Sequence, residues 1–130
     1  MTDQPTVLIV DDEDELRELY RLYLKDSFRV LSTGSGEEAL ELLDESVDIL
    51  VLDRNLPDID GNVILDQQSG LEKTSVIVVS GFDSEFQSDE LEFGKYLTKP
   101  VSREDFLQAV ERAHGDLPSS EDGPGSASLA

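Results

Sequence analysis

Apolar residues fall into two kinds of pattern along this chain. Short unbroken runs occupy residues 7–10, 49–52 and 76–79, where every position is Val, Leu or Ile. Elsewhere the spacing is helical. Leu16, Leu19, Tyr20, Tyr23 and Leu24 fall at i, i+3, i+4, i+7 and i+8 with charges between them, the stripe of an amphipathic helix. Residues 28–31 predict a strand, and Ala39, Leu40 and Leu43 mark a second helix after the turn Gly34-Ser35-Gly36. Residues 62–72 predict a weaker helix, 84–92 a short polar one and 96–98 a short strand. Phe106, Leu107, Val110 and Ala113 make a last helix, capped by Ser102 with Asp105 three residues on.

Strand and helix thus alternate five times. A strand that is apolar at every position is covered on both faces, which calls for a parallel sheet with crossover helices. Right-handed crossovers then favour a three-layer α/β sandwich with five strands and five helices. No internal repeat is visible. One domain is expected over residues 5–114, and the Gly, Pro, Ser and acid content of residues 115–130 predicts a disordered tail or linker.

Composition narrows the function. With 38% hydrophobic residues the chain can bury a core, and without cysteine it has neither disulfides nor thiolate metal sites. Residues 1–6 hold no basic stretch followed by an apolar one, so no signal peptide is expected, and no apolar run can span a membrane. The expected compartment is the cytoplasm. Thirty acids against ten bases give a net charge of −20. Nucleic acid and anionic membranes would both be repelled, so direct binding to either is not expected. The acids are spread along the whole chain, and such a surface strains a fold by self-repulsion. It resembles the proteins of halophiles that keep molar salt in the cell, where the Debye length is only ~3 Å.

The chemistry gathers at strand ends. In an open α/β sheet the site lies outside the carboxyl ends of the strands. The first strand runs into Asp11-Asp12, the third into Asp53, the fourth into Ser80 and the fifth into Lys99-Pro100. A parallel sheet brings all of these to one edge. Carboxylates gathered in one crevice repel each other and need a cation or raised pKa values. Few carboxylate ligands, several waters and a phosphate oxygen describe Mg²⁺. With a lysine and a hydroxyl opposite, such a site suits phosphoryl transfer to a carboxylate.

Four segments carry a family resemblance: Ile9-Val10-Asp11-Asp12-Glu13, the stretch from Leu52-Asp53-Arg54-Asn55 through Pro57 to Gly61, Val79-Ser80-Gly81, and Tyr96-Leu97-Thr98-Lys99-Pro100. Together, and in this order, they resemble the signatures of the response-regulator receivers of two-component systems. The resemblance implies a flavodoxin-like sheet of strand order 2-1-3-4-5, whose crevice between the first and third strands would gather Asp11, Asp12 and Asp53. It also implies that Asp53 is the phosphoacceptor. Asp12 would touch Mg²⁺ directly and Asp11 through water, with Asp53 and the backbone carbonyl of Asn55 as further ligands. Ser80 would hydrogen-bond the phosphoryl group, small Gly81 would leave access, and Lys99 would pair with a phosphoryl oxygen. The Lys99-Pro100 bond is expected to be cis, and Tyr96 sits at the rotameric switch position. Asn55 and Phe82 would border the approach of a hydrolytic water. The implied partners are a sensor histidine kinase or phosphotransfer protein and a downstream protein target or fused output domain. Two features depart from or refine the pattern. The interval from Ser80 to Lys99 is short and polar, and Asp53-Arg54 resembles haloarchaeal receivers.

Taken singly, each residue has a plainer reading. Asp11-Asp12 suits a helix N-terminus, Asp58, Asp60 and Gly61 suit turns, and Arg17 and Arg21 suit a solvated helix face. Tyr20 and Tyr23 lie on the apolar stripe. His114 ends the last helix, where a cation suits the dipole, and is not expected to carry phosphate. Two rival functions fare worse. An aspartyl-phosphate hydrolase would want a second acid where Asn55 stands. A flavin carrier would want a Ser/Thr/Gly-rich phosphate loop where Asp11 to Asp14 stand. A signalling module with only self-catalysed transfer and slow autodephosphorylation is the expected function, within a longer regulator or alone.

Overall fold

The computed structural model of the chain describes residues 4–53, 56–71, 73–80 and 96–115. Its elements are β1 (Thr6–Val10), α1 (Asp14–Leu24), β2 (Arg29–Thr33), α2 (Gly36–Leu42), β3 (Ile49–Asp53), α3 (Gly61–Gln68), β4 (Ser75–Ser80), β5 (Tyr96–Thr98) and α4 (Arg103–Gly115). The strands form one parallel sheet in the order β2-β1-β3-β4-β5. Four helices lie among the described residues, and the polar helix expected over 84–92 falls outside them.

The unbroken apolar runs are explained by two cores. Val7, Ile9, Ile49, Val51, Ile77 and Val79 face one way, onto Tyr20 and Leu24 of α1 and Phe106 and Val110 of α4. Their neighbours Leu8, Val10, Leu50, Leu52, Val76 and Val78 face the other way, onto Ala39 of α2 and Ile64 and Leu65 of α3. Alternate residues thus serve opposite layers, as a pleated strand requires. The edge strand β2 is covered less completely than the central strands β1 and β3. Tyr20 stacks flat on Phe106 with ring centroids 4.3 Å apart, joining α1 to α4.

Some boundaries differ from the sequence reading. β2 starts one residue later than expected and runs two further, to Thr33. α3 stops at Gln68, because Ser69 turns back on the chain, its hydroxyl donating to the Asp66 carbonyl at 2.7 Å, and Gly70 follows. α4 takes in Gly115, and its N-terminus is capped as expected, with the Asp105 amide donating to Ser102 Oγ at 3.0 Å. No helix among the described residues is long and apolar enough to cross a membrane.

Candidate functional site

The crossover between β1 and β3 opens the sheet at its carboxyl edge, and three acids meet there. Asp53 is itself the last residue of β3, in register with Val79 of the neighbouring strand. Asp11 follows β1 and is held by its backbone, its N–H donating to the Thr33 carbonyl at 3.1 Å. These two carboxylates are almost fully buried, at 2% and 3% exposure, while Asp12 is exposed. Each of the three offers a carboxylate oxygen within 4.8 Å of the others.

Among the described residues, one ammonium serves this cluster. Lys99 Nζ lies 3.1 Å from Asp53 Oδ2, 3.2 Å from Asp11 Oδ2 and 3.1 Å from Glu13 Oε2. Its backbone N–H donates to the Ser80 carbonyl at 2.8 Å, so the turn after β5 is tied to the end of β4. Ser80 is buried at the end of β4, beside Thr98 in the ladder. The Lys99–Pro100 peptide bond is cis.

The electrostatics follow from burial and charge. Burial raises the Asp11 carboxyl; the Glu13 amide opposes this, the Asp53 charge adds to it, and Lys99 offsets it in part. Burial would lower the Lys99 ammonium, but the charge of Asp11 and the hydrogen bond to Asp53 outweigh it and raise its pKa. Beneath the site, burial first and the charge of Asp11 second push the Tyr20 phenol up to about 12.

The residues fit a hard divalent cation. All three donors are carboxylate oxygens, which suit Mg²⁺ and not a soft metal. They already draw in Lys99, as expected of acids short of positive charge. The arrangement places the buried Asp53 carboxylate beside two further carboxylates, the Lys99 ammonium and the strand end that bears Ser80.

Of the residues marked out in the sequence, Asp11, Asp12, Asp53, Ser80 and Lys99 come to this edge. Tyr96 opens β5 opposite Val78, and only its backbone is described. Asn55, Gly81 and Phe82 lie outside the described residues. Three participants escaped the sequence reading. Glu13 shares Lys99. Arg17 is no mere solvated side chain, because its Nη1 donates to the Asp11 carbonyl at 2.8 Å. Asp58 accepts from the Gly36 and Glu37 amides at 3.0 and 3.1 Å, so it caps α2 rather than only turning the chain. Glu13 had a signal in standing next to the acid pair. Arg17 and Asp58 had none, because the contacts that tie them to the site's loops run mainly to backbone groups.

Comparison with known proteins agrees with this geometry. The sequence profile of the response regulator receiver domain matches residues 7–111. A Haloferax volcanii protein named as a transcriptional regulator is 34% identical over 111 residues, covering 83% of this chain and 19% of its own. The positive alginate biosynthesis regulatory protein of Pseudomonas aeruginosa is 38% identical over 114 residues, covering 82% and 46%. The chain therefore spans about half, or less, of the length of these relatives. The crystal structure of a signal receiver domain from Vibrio parahaemolyticus superposes with a TM-score of 0.75 at 28% identity, covering 86% of this chain and 94% of that one.

Proposed function

The chain belongs to the response regulator receiver domain family, and on that premise we propose that Asp53 accepts a phosphoryl group, with Mg²⁺, from a sensor histidine kinase or phosphotransfer protein. One observation carries the proposal. The Asp53 carboxylate ends the central strand almost fully buried, with Lys99 Nζ 3.1 Å away and the carboxylates of Asp11 and Asp12 beside it.

A carboxylate oxygen of Asp53 attacks phosphorus and forms the P–O bond while the P–N bond of the donor phosphohistidine breaks. The departing imidazole keeps the electron pair and takes a proton. When bound, Mg²⁺ neutralises phosphoryl oxygens and so lets one anion approach another. Asp11, Asp12 and Asp53 would hold the ion, and the family resemblance adds the Asn55 backbone carbonyl, which lies outside the described residues. Lys99 transfers its ammonium from Asp53 to a phosphoryl oxygen, and the Ser80 hydroxyl donates to another. The movement of Ser80 lets Tyr96 turn, which changes the surface read by a downstream protein or a fused output domain. By the family resemblance, Asn55 and Phe82, which lie outside the described residues, are the candidates for setting the lifetime of the phosphoprotein.

Beryllofluoride, a mimic of the phosphoryl group, tests the assignment. Fluorine NMR should show a bound species with wild type and Mg²⁺, and none with Asp53→Asn. Equal binding by the two proteins would contradict it.

A further inference from the structure

The turn between β2 and α2, Gly34-Ser35-Gly36, touches both of the loops that bear the acids. On one side Arg17 lies across Gly34. A Cβ on Gly34 would stand 2.6 Å from Arg17 Nη1 and 3.5 Å from the Asp11 carbonyl oxygen. Arg17 Nη1 donates to that carbonyl at 2.8 Å, and Nη2 donates to Asp14 at 2.6 Å. The Asp11 N–H is held by Thr33, the residue before Gly34. Both polar groups of the Asp11 backbone are therefore fastened at this turn.

On the other side is the loop that follows Asp53. Asp58 Oδ1 accepts from the Gly36 amide at 3.0 Å, and Oδ2 accepts from the Glu37 amide and the Ser35 hydroxyl, each at 3.1 Å. A Cβ on Gly36 would collide with the side chain of Ile59, the next residue along that loop. Neither glycine has a left-handed backbone, so what each position requires is space. Each glycine admits one neighbour, and the two neighbours belong to the two acid-bearing loops.

We infer that this turn, with Arg17 and Asp58, is a positioning unit that sets the Asp11-Asp12 loop against the loop after Asp53, so that metal affinity depends on it. The inference rests on the Mg²⁺ reading above. Arg17 and Asp58 act through the ligands and are positioning residues. Groups that orient the ligands of a metal commonly change its affinity by about tenfold or more when removed.

The test is calorimetric titration of Mg²⁺ into the full chain in concentrated KCl, which suppresses diffuse binding to so acidic a surface. Gly34→Ala is the sharpest variant, because it leaves the charge untouched and only displaces the guanidinium. It should weaken Mg²⁺ binding about tenfold, and adding it to Arg17→Ala should cause no further loss. Arg17→Ala should also weaken binding, although loss of a positive charge alone would tighten it. Arg17→Lys should fall between, and Asp58→Asn should weaken binding too. Ser102→Ala, which removes the cap of α4 far along the chain, should lower the melting temperature and leave the affinity unchanged. The inference is overturned if the turn variants bind like wild type while Asp12→Ala does not bind. It is equally overturned if Ser102→Ala loses as much affinity as they do. Undiminished binding in Asp12→Ala would instead sink the metal reading, and the inference with it.

Discussion

At the amino edge of the sheet, Asp48 accepts the Thr6 amide at 2.8 Å, and the Thr74 hydroxyl donates to the Val47 carbonyl at 2.7 Å. Each polar group there is matched to a backbone group, and none faces a like charge in these pairings. At the carboxyl edge, Asp11 and Asp53 are buried against each other, with Asp12 and Glu13 beside them, and among the described residues Lys99 is the lysine that Asp11, Glu13 and Asp53 share. The first arrangement ties strands together. The second leaves a deficit of positive charge that a ligand can fill. Unbalanced burial of charge is costly to a fold, and here it collects where an open parallel sheet places its ligands.

The largest effect should come from removing Lys99, the ammonium that pairs with Asp11, Glu13 and Asp53. Lys99→Ala should cost about 3 kcal/mol in metal-free buffer, the usual loss when one partner of a buried pair is deleted. Added Mg²⁺ should restore much of it. Thermal unfolding with and without Mg²⁺ checks this, and an unchanged melting temperature in metal-free buffer would break the comparison.

A smaller effect belongs to Tyr20, whose hydroxyl is buried with no hydrogen-bond partner among the described residues. Its folded pKa of about 12 lies above the ordinary 10.0. The folded state therefore holds the phenolic proton more tightly. That stabilisation is complete below pH 10.0 and is lost as pH rises toward about 12, a difference of at most ~3 kcal/mol. Tyr20→Phe should remove this part of the alkaline loss and match or exceed wild-type stability at neutral pH. Identical alkaline unfolding of the two proteins would count against it.

The amino edge supplies the contrast. Thr74→Val deletes one hydrogen bond to a backbone carbonyl and should cost about 1 kcal/mol. Mg²⁺ affinity should not move, and a change in it would erase the distinction between the edges.

Periodicity and topology by themselves make much of the sheet and its carboxyl edge legible in the sequence. Residues 49–52 are legible as a strand because both faces of β3 are buried, and Asp53 stands out because a charge ends that run. Asp11 and Lys99, 88 positions apart in the numbering, converge because a parallel sheet aligns strand ends. What periodicity cannot carry is side-chain reach. Arg17 pairs with Asp14 three residues before it, the pattern of a solvated helix face, yet the same guanidinium crosses Gly34 to the Asp11 carbonyl. The early end of α3 likewise depends on a serine hydroxyl turning back on the backbone.

The smallest effect per residue should come from the surface. The exposed Arg21–Glu18 pair, 2.6 Å apart, should weaken in molar KCl. The whole chain at −20 should nevertheless melt at a higher temperature there, because repulsion among thirty acids is screened at the same time. A melting temperature that does not rise with KCl would contradict the halophilic reading of the composition.

The central claim, that the carboxyl edge exists to phosphorylate Asp53, is tested most directly by intact-mass analysis after incubation with acetyl phosphate. The account predicts a single phosphoryl group on wild type with Mg²⁺, and none with chelator or on Asp53→Asn. Equal modification of wild type and Asp53→Asn would contradict it.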